Sequence, residues 1–472
     1  VRIFSKRSTA HCDPHFSFLL YDHLSFNYPP VINKHTTPLI RWNVVNFDLR
    51  FLQDVCDRVQ VPFRLGRAGE KITWRQARER EDRYFALVPG RVVIDGIELM
   101  RAATYQFENF SLEHVARQIL DRGKLVDDVD TRGEEITRLF LEDKRALADY
   151  NLEDCRLVWD IFVREQLIEF AIARSQLTGL ELNRYGGSVA AFDFLYLPRL
   201  HRAGYVAPAL GQHRSGNISP GGYVMDSLPG IYDHVIVLDF KSLYPSIIRT
   251  FHVDPLALVI GQTEQDPIAG FDGGVFSRQH YLLPALIENL WRARDEAKAT
   301  GNRVLSQAIK IIMNSFYGVM GTRGCRFFDT RLVSSITRRG HQIIKESKAY
   351  IEEAGFTVIY GDTDSVFVLV DAADPEEVER EGTRLAAGLN AWWQSRLEKE
   401  MGLTSCLEIE FETHFHKFLM PTVRGAETGS KKRYAGLVRT GADADDYQLI
   451  FKGLETVRSD WSGLARRFQQ EL

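Results

Sequence analysis

The chain has 472 residues, of which 44% are hydrophobic and 26% charged, and its formal net charge is -4. This composition is typical of a globular protein and excludes a disordered or fibrous one. No apolar run approaches the roughly 18 residues that a membrane span needs, so we expect no membrane partner and a cytoplasmic location. Because a non-specific nucleic-acid binder is usually basic, any contact with nucleic acid must come from local groups of Lys and Arg.

The length and the cysteines set two further limits. At roughly 150 residues per domain, the length predicts about three domains. Five cysteines are spread along the chain without a Cys-x-x-Cys pair. This pattern predicts reduced thiols rather than a zinc knuckle or a disulfide framework.

Residues 38–175 have the pattern of one α/β unit. A strand-like apolar run begins at Leu39 and leads into Asn43–Asp48, and helical periodicity then continues to about residue 175. An acidic stretch, Asp149–Asp154, lies within this periodicity. The preceding residues, 1–37, show neither the hydrophobic period of a helix nor that of a strand.

A carboxylate is predicted at a strand-to-helix junction in the next part of the chain. Loops are indicated at Gly186–Gly187 and at Ser219–Gly222. After them, Val235–Asp239 has the pattern of a buried strand, and Lys241–Ile248 has the pattern of a helix start with a proline in its first turn. The last residue of the predicted strand is therefore an aspartate.

Two hairpins follow. Leu282–Ala299 and Val304–Tyr317 have helical periodicity and are joined by a short turn that contains a glycine, which predicts an αα-hairpin. Phe356–Tyr360 and Ser365–Val370 have strand patterns, which predict a β-hairpin. Its tip, Gly361–Asp364, carries two aspartates.

Asp239 and Asp364 together suggest a chemistry that neither suggests alone. Phosphoryl transfer with two divalent cations about 4 Å apart needs carboxylates from separate elements at one place. Each of these aspartates stands at the end of an apolar strand, where a rigid backbone can hold the hard oxygen ligands that Mg²⁺ prefers. A single aspartate at such a position is more often a turn or cap residue.

Three segments resemble motifs A, B and C of the family B DNA polymerases, and they occur in the order of that family: Asp239–Ser246, Lys310–Gly318 and Tyr360–Ser365. The resemblance extends from about Trp42 to the last residue. His341–Ile344 and Gly429–Gly436 are similar to the bacterial members of the family.

The resemblance implies template-directed DNA synthesis in replication or repair. The reaction would transfer a nucleotidyl group from a dNTP to the 3'-hydroxyl of a primer and release pyrophosphate, with two Mg²⁺ ions as cofactors. The expected partners are primer-template DNA and dNTPs, and the expected location is the nucleoid. A sliding-clamp partner stays open, because the tail that binds a clamp is usually C-terminal in this family.

In motif A, the resemblance implies that Asp239 bridges both metal ions and that the carbonyl of Phe240 binds the nucleotide-side ion. The backbone N–H groups that follow, at Ser242 and Leu243, would hold the triphosphate at a helix start. Tyr244 would pack under the sugar and exclude a ribose 2'-hydroxyl, although a tyrosine there can also be a core residue.

In motif B, Lys310, Asn314 and Tyr317 stand at i, i+4 and i+7, so they share one helix face. That face would meet the incoming nucleotide, and Lys310 would neutralise the charge that develops on its phosphates. Arg294 and Lys298, at i and i+4 on the facing helix, match a second pair of triphosphate contacts in the family.

In motif C, the resemblance makes Asp364 the second metal ligand and Asp362 a less essential neighbour that tunes the site. Glu408, Glu410 and Glu412 alternate with apolar residues and predict a strand with one acidic face. A solvated or salt-bridged face is the favoured interpretation, and direct metal binding is the other.

Four residues are expected to contact the duplex. Lys432 and Tyr434 are predicted on one face of a short strand and resemble the Lys-x-Tyr signature of the family, which would hold the DNA backbone. Gly222 and Tyr223 resemble its glycine-tyrosine loop, where small residues let backbone amides approach a phosphate.

Family members usually carry a 3'-5' exonuclease, and here the sequence departs from the family. Asp48 resembles the aspartate of the second exonuclease motif, and Tyr150 and Asp154 resemble the third. The first motif, Asp-x-Glu, has no counterpart upstream, because the first Glu of the chain is Glu70. We therefore expect these residues to be vestigial and proofreading to be absent.

The resemblance implies an α/β multi-domain fold. An incomplete RNase H-like domain would be followed by a right-hand polymerase palm, an α+β domain on an antiparallel sheet, and by fingers formed from the helical hairpin. Because the chain stops at Leu472, we expect a truncated protein with a missing thumb and a weak grip on the duplex. The expected segments are 1–37 (atypical), 38–175 (exonuclease-like), 176–280 (palm), 281–320 (fingers), 321–460 (palm) and 461–472 (start of the thumb).

Three other functions stay open at this stage. One is a non-catalytic remnant that at most binds DNA, which proteolysis and thermal melting would distinguish. A reverse transcriptase is disfavoured, because the tip at Gly361–Ser365 differs from the Tyr-x-Asp-Asp tip of that class. A stand-alone nuclease that uses Asp48 and Asp154 lacks the remaining metal ligand.

Overall fold

The computed structural model describes residues 38–76, 84–125, 132–211, 220–372, 374–422, 429–440, 446–457 and 461–471. They divide into two compact units between Gly187 and Ser188. The expectation for residues 1–37 lies outside the described residues. In the described part of the chain, no helix combines the length and the apolar character that crossing a membrane requires.

The first unit combines four short strands with six α-helices. The strands are β1 (Leu39–Arg41), β2 (Thr73–Gln76), β3 (Tyr84–Leu87) and β4 (Val93–Asp95). The helices are α1 (Arg50–Arg58), α2 (Gly96–Ala102), α3 (Leu112–Leu120), α4 (Arg132–Glu142), α5 (Lys144–Arg164) and α6 (Leu167–Thr178), and a π-helical turn, Val44–Leu49, precedes α1.

In this unit, β1 pairs with β4 in parallel and β2 pairs with β3 in antiparallel. Val44, Leu49 and Val93 are buried in a shared core cluster. Continuous helical periodicity after Asp48 was a wrong expectation, because β2, β3 and β4 have only three or four residues each, too few to show alternation. Helix α6 also continues across the expected segment boundary at residue 175.

The second unit is built on a six-stranded antiparallel sheet in the order β12-β11-β10-β5-β9-β8. Its strands are β5 (Gly230–Phe240), β8 (Thr357–Asp362), β9 (Ser365–Leu369), β10 (Ile409–Met420), β11 (Tyr434–Arg439) and β12 (Tyr447–Lys452), and β6 (Ile268–Ala269) pairs with β7 (Val275–Phe276) in a separate small sheet. The helices are α7 (Ser188–Arg202), α8 (Leu243–Thr250), α9 (Pro255–Ile260), α10 (Leu283–Ala299), α11 (Arg303–Met320), α12 (Thr330–Glu353), α13 (Pro375–Met401) and α14 (Gly463–Glu471).

The central strand β5 is buried on both faces. Val235, Ile236, Val237 and Leu238 are each at most 4% exposed. Alternation places Val235 and Val237 on the face that carries a cluster of aromatic residues from β9 and β10, while α13 packs against β5 and β10. A run without polar residues is typical of such a strand, because both of its faces are covered.

Both predicted hairpins are confirmed. Helices α10 and α11 pack against each other, and the side chain of Asn302 caps α11 by accepting from the N–H of Leu305 at 3.0 Å. Gly301, in the turn before it, has a φ of +70°, which suits glycine. Strands β8 and β9 form the β-hairpin. The cysteines also agree, since the four in the described part of the chain are free thiols.

A buried carboxylate fixes where α10 begins. Asp254 is fully buried and accepts hydrogen bonds from the hydroxyl of Tyr196 at 2.9 Å, from the N–H of Ala257 at 2.8 Å and from the N–H of Leu283 at 2.7 Å. It thereby caps α9 and ties α7 to the first residue of α10. Buried charge is stabilised only where such donors are present, so this network defines the position of the αα-hairpin within the unit.

Candidate active site

The structure brings Asp239 and Asp364 together at one end of β5. Strand β9 pairs with β5 in a register that places Ser365 opposite Asp239. The N–H of Phe240 donates to the carbonyl of Asp364 at 2.9 Å. Thr363, in the hairpin tip, has a φ of +55°, and this tight turn lets the chain reverse beside the end of β5. The two aspartates are thus held by backbone pairing rather than by their own side chains.

Burial and neighbouring carboxylates raise the pKa of two aspartates at this end of the sheet. Burial, followed by the charges of Asp364, Glu412 and Glu410, raises the pKa of Asp239 to about 7, and Lys310 opposes the shift. Burial and then the nearby Asp362 raise the pKa of Asp364. Carboxylates that are this close together favour either a shared proton or a bound cation. The group therefore has the charge and the oxygen donors of a site for divalent cations.

The acidic face of β10 is partly salt-bridged, as the favoured interpretation predicted. The ammonium of Lys241 lies 2.5 Å from Glu408 Oε1 and 2.9 Å from Glu410 Oε2. Glu412 has a different position, because its charge contributes to the raised pKa of both Asp239 and Asp364. This position of Glu412 is compatible with direct metal binding, the second interpretation of the acidic face.

Helix α8 begins directly beside the aspartates. Its first hydrogen bond runs from the N–H of Ser246 to the carbonyl of Ser242 at 3.1 Å. The N–H groups of Ser242, Leu243 and Tyr244 precede this bond, so the helix leaves them without intrahelical partners. An anion beside Asp239 would meet these N–H groups.

Motifs A and B meet through two aromatic rings. The rings of Tyr244 and Tyr317 have their centroids 4.6 Å apart, and burial, followed by the charge of Tyr317, raises the pKa of Tyr244 to about 12. On α11, Lys310 and Asn314 are exposed and Tyr317 is half-buried, while Phe316 is 1% exposed. The i, i+4, i+7 spacing therefore does form a polar face, and the charge of Lys310 reaches Asp239.

Helix α10 contributes Arg294. Its side chain is half-buried, its Nε has no hydrogen-bond partner within the described residues, and burial lowers its pKa while Glu410 opposes the shift. Lys298 is exposed in the last turn of α10, and no ion pair among the described residues ties it to the carboxylates. The structure therefore brings Arg294, but not Lys298, to the edge of the acidic group.

The loop before β5 packs on the hairpin tip. The carbonyl of Tyr223 accepts from the N–H of Thr363 at 2.7 Å, and a Cβ on Gly222 would lie 2.4 Å from Thr363 Oγ1. Only glycine fits at that distance. The Tyr223 ring lies 5.4 Å from the ring of His341, and the Lys345 ammonium lies 4.8 Å from its centroid. Sequence reasoning identified the loop but not these partners from α12.

The prediction that Lys432 and Tyr434 share a strand face was wrong. Strand β11 begins at Tyr434, and Lys432 lies in the preceding turn with a φ of +62°. A residue with positive φ does not continue a strand. The N–H of Lys432 donates to the Tyr360 hydroxyl at 3.0 Å, and its ammonium lies 3.3 Å from Asp362 Oδ1. Tyr434 is half-buried, and its ring lies 5.2 Å from that of Phe367.

In the first unit, Asp48 and Asp154 each lie beside a cation. Asp48 lies in the π-helical turn, 3.9 Å from Arg41 Nε, and Asp154 Oδ2 accepts from the ammonium of Lys124 at 2.6 Å. Burial raises the pKa of Cys155, Arg41 opposes the shift, and the charges of Asp154 and Asp48 add to it. Tyr150 is buried on α5, under the same ammonium at 5.6 Å. The sequence did not reveal these cations.

The chain belongs to DNA polymerase family B, whose family model matches residues 184–472. It is 54% identical over 450 residues to DNA polymerase II of Escherichia coli, a match that covers 94% of this chain and 56% of that protein. It is 28% identical over 460 residues to a DNA polymerase of Thermococcus gorgonarius, covering 93% of this chain and 55% of that protein. The expected resemblance to bacterial members is confirmed, and the chain spans about half the length of these curated relatives.

The raised pKa of Asp239 predicts a pH-dependent stability in the absence of divalent cations. Because the folded pKa is about 7 against a usual 3.8, the folded state retains a proton that the unfolded chain releases between these values. The free energy of unfolding should therefore fall as pH rises through this window. In Asp239→Asn this fall should be smaller by roughly 1–2 kcal/mol, a figure reduced for the partial exposure of the group.

Urea unfolding in chelator on both sides of the pH window measures this difference. Asp371→Asn, which changes an exposed aspartate after β9, is the matched control and should follow the wild type. An Asp239→Asn variant with the same pH slope as the wild type would show that Asp239 has an ordinary pKa.

Proposed function

We propose that the chain catalyses template-directed DNA synthesis, transferring a nucleotidyl group from a dNTP to the 3'-hydroxyl of a primer with release of pyrophosphate. Primer-template DNA and dNTPs are its substrates, and it acts on DNA of the nucleoid in replication or repair. The observation that carries the proposal is the backbone pairing of β5 with β9, which holds Asp239 beside Asp364 among further carboxylates.

The carboxylates fit two Mg²⁺ ions as cofactors. Burial first, and then the negative charge of the neighbouring carboxylates, raises the pKa of Asp239 to about 7, and Lys310 opposes this shift. Asp239, Asp364 and the carbonyl of Phe240 would hold the ions, and Asp362 would tune them. Bound there, the ions would activate the primer hydroxyl and neutralise charge on the pyrophosphate that leaves.

The residues around the carboxylates can orient the nucleotide. The N–H groups of Ser242 and Leu243 at the start of α8 suit the triphosphate. The polar face of α11, with Lys310, Asn314 and Tyr317, and Arg294 of α10 supply positive charge and hydrogen-bond donors for its phosphates. Lys298 is exposed one turn further along α10. Its side chain would have to move toward the carboxylates to contact a bound triphosphate.

Four residues would hold the duplex. Gly222 lets the backbone before Tyr223 come close to the hairpin tip, where a phosphate could meet its amides. Lys432 reaches the same tip from its turn, and its ammonium is already near Asp362, so a DNA phosphate would compete with that carboxylate. Tyr434 supports the turn from β11. With a net charge of -4, the chain depends on such local contacts.

We assign the second unit to a polymerase palm formed by 188–280 and 321–460, with α10 and α11 as the fingers. The first unit is assigned to an exonuclease-like domain of RNase H-like fold. Its boundary is moved from residue 175 to 187, because α6 crosses the earlier position and the compact units divide at Gly187.

Primer extension tests the proposed synthesis directly. With primed template, dNTPs and Mg²⁺, the purified chain should extend the primer, and Asp364→Ala should lower the rate by at least about 100-fold because a metal ligand is lost. Asp371→Ala makes the same change at an exposed aspartate beyond the other end of β9, and this variant should extend the primer as the wild type does. A folded wild-type chain that extends nothing would favour the alternative of a protein that at most binds DNA.

Substitution of Tyr244 tests its proposed role under the sugar. Tyr244→Ala removes the ring that would exclude a 2'-hydroxyl, so the preference for dNTP over rNTP in kcat/KM should fall by about 10-fold to 200-fold. Tyr205→Ala, at an exposed tyrosine after α7, should leave the preference unchanged. An unchanged preference in Tyr244→Ala would assign this ring to packing against Tyr317 alone.

The absence of proofreading in these 472 residues is also proposed. Arg41 Nε lies 3.9 Å from Asp48, and the Lys124 ammonium lies 2.6 Å from Asp154, where it disfavours a metal ion at the same oxygen. A labelled primer with a mispaired 3' end, incubated with Mg²⁺ and no dNTP, should keep its length. Shortening that disappears in Asp154→Ala would contradict the proposal.

A further inference from the structure

Three histidines meet on the central sheet of the second unit. The register pairs Phe415 with Val235 and Lys417 with Asp233, which puts His416 opposite His234 on the neighbouring strand. His414 lies two residues before His416 and therefore shares its face. One ring nitrogen from each of the three histidines lies within 4.8 Å of the others.

The rings are close enough to share a ligand. His234 Nδ1 lies 3.0 Å from His414 Nε2, and the rings of His414 and His416 stack with their centroids 4.3 Å apart. His234 has a φ of +53°, an uncommon conformation for a residue other than glycine. Such a conformation persists where the surroundings hold it, and here it accompanies the approach of the His234 ring to the other two.

His414 is buried in a state suited to metal binding. It is 6% exposed, and its Nδ1 has no hydrogen-bond partner within the described residues. Nε2 is the nitrogen of His414 that faces His234 and can bind a shared ion, and the ring proton would then lie on Nδ1. Burial, followed by the charges of His416 and His234, lowers the pKa of His414 to about 4, so the ring is neutral at neutral pH. A neutral imidazole is the form that binds a metal.

We propose that His234, His414 and His416 bind one divalent transition-metal ion of the Zn²⁺ type. Imidazole nitrogen is a preferred donor for this class of metal. Tetrahedral Zn²⁺ with bonds of about 2.0–2.1 Å separates its ligand nitrogens by roughly 3.3 Å, close to the 3.0 Å between His234 and His414. The fourth position is open to water or to Glu379 of α13. Burial, followed by the charges of His234 and Arg439, lowers the pKa of His416, and the charge of Glu379 opposes this shift.

This metal site is separate from the carboxylate site. His414 of β10 is paired with Ile236 of β5, so the two side chains share a face of the sheet. Alternation along β5 puts Ile236 and Asp239 on opposite faces. The donors also differ, because nitrogen ligands select Zn²⁺ and oxygen ligands select Mg²⁺. A metal held by His234 and His416 would join β5 to β10, the two strands that carry Asp239 and the acidic face. The proposal does not depend on polymerase activity.

A hydrogen-bonded histidine pair is the competing interpretation. A proton between His234 Nδ1 and His414 Nε2 would account for their distance. It would give His416 no role, although the ring of His416 stacks on that of His414. Metal binding that depends on His416 therefore distinguishes the two interpretations.

Titration calorimetry with Zn²⁺ on the whole chain, stripped of metal by chelator, tests the proposal. We expect one tight site per chain, and His416→Ala and His234→Ala should each weaken Zn²⁺ binding by at least about 10-fold. Zn²⁺ should also raise the melting temperature of the wild type, because a ligand of the folded state stabilises it. Co²⁺ bound in the same place should show the visible absorption of a tetrahedral nitrogen site.

Two controls make the result specific. His280→Ala removes an exposed histidine outside the cluster, and Asp364→Ala removes a carboxylate from the other face, so both should keep the tight site. Circular dichroism shows whether each variant is folded, and His416 is only half-buried, which favours a folded variant. No tight Zn²⁺ site in the folded wild type, or a site that His416→Ala and His234→Ala leave intact, would overturn the proposal.

Discussion

The pairing of β5 along both of its edges is the constraint on which the second unit depends. β9 binds one edge and β10 the other, and both pairings are antiparallel. The apolar run Val235–Leu238 makes this position possible, because only a strand covered on both faces is stable there. The end of the run then places Asp239 beside Asp364 without requiring any contact between their side chains.

Alternation along β5 separates two kinds of donor. Asp239 lies on the face of Val237, while His234 lies on the face of Ile236. Oxygen donors therefore gather at one end of one face, and nitrogen donors gather on the other face. A sheet that is one backbone thick keeps hard and borderline ligands apart, so two cations of different class could be bound without exchange between the sites.

The acidic residues of the two units have different charged neighbours. In the first unit, Asp48 and Asp154 each have a cation beside them, Arg41 and Lys124. In the second, Lys241 forms ion pairs with Glu408 and with Glu410 of β10, while burial and neighbouring carboxylates raise the pKa of Asp239 to about 7. Burial also raises the pKa of Asp48, although the charge of Arg41 opposes this shift, so the two aspartates differ in the charges around them rather than in burial.

The sequence by itself determined the family, the two hairpins and the positions of Asp239, Lys310 and Asp364, because short motifs and the periods of helix and strand are local properties of the chain. Tertiary structure alone decided the rest. Three features depend on register between distant strands or on packing between helices. They are the turn at Lys432, the ammonium of Lys124 beside Asp154, and the meeting of His234 with His416. Local periodicity carries no information on register, since it describes which face a residue occupies but not which residue faces it across the sheet.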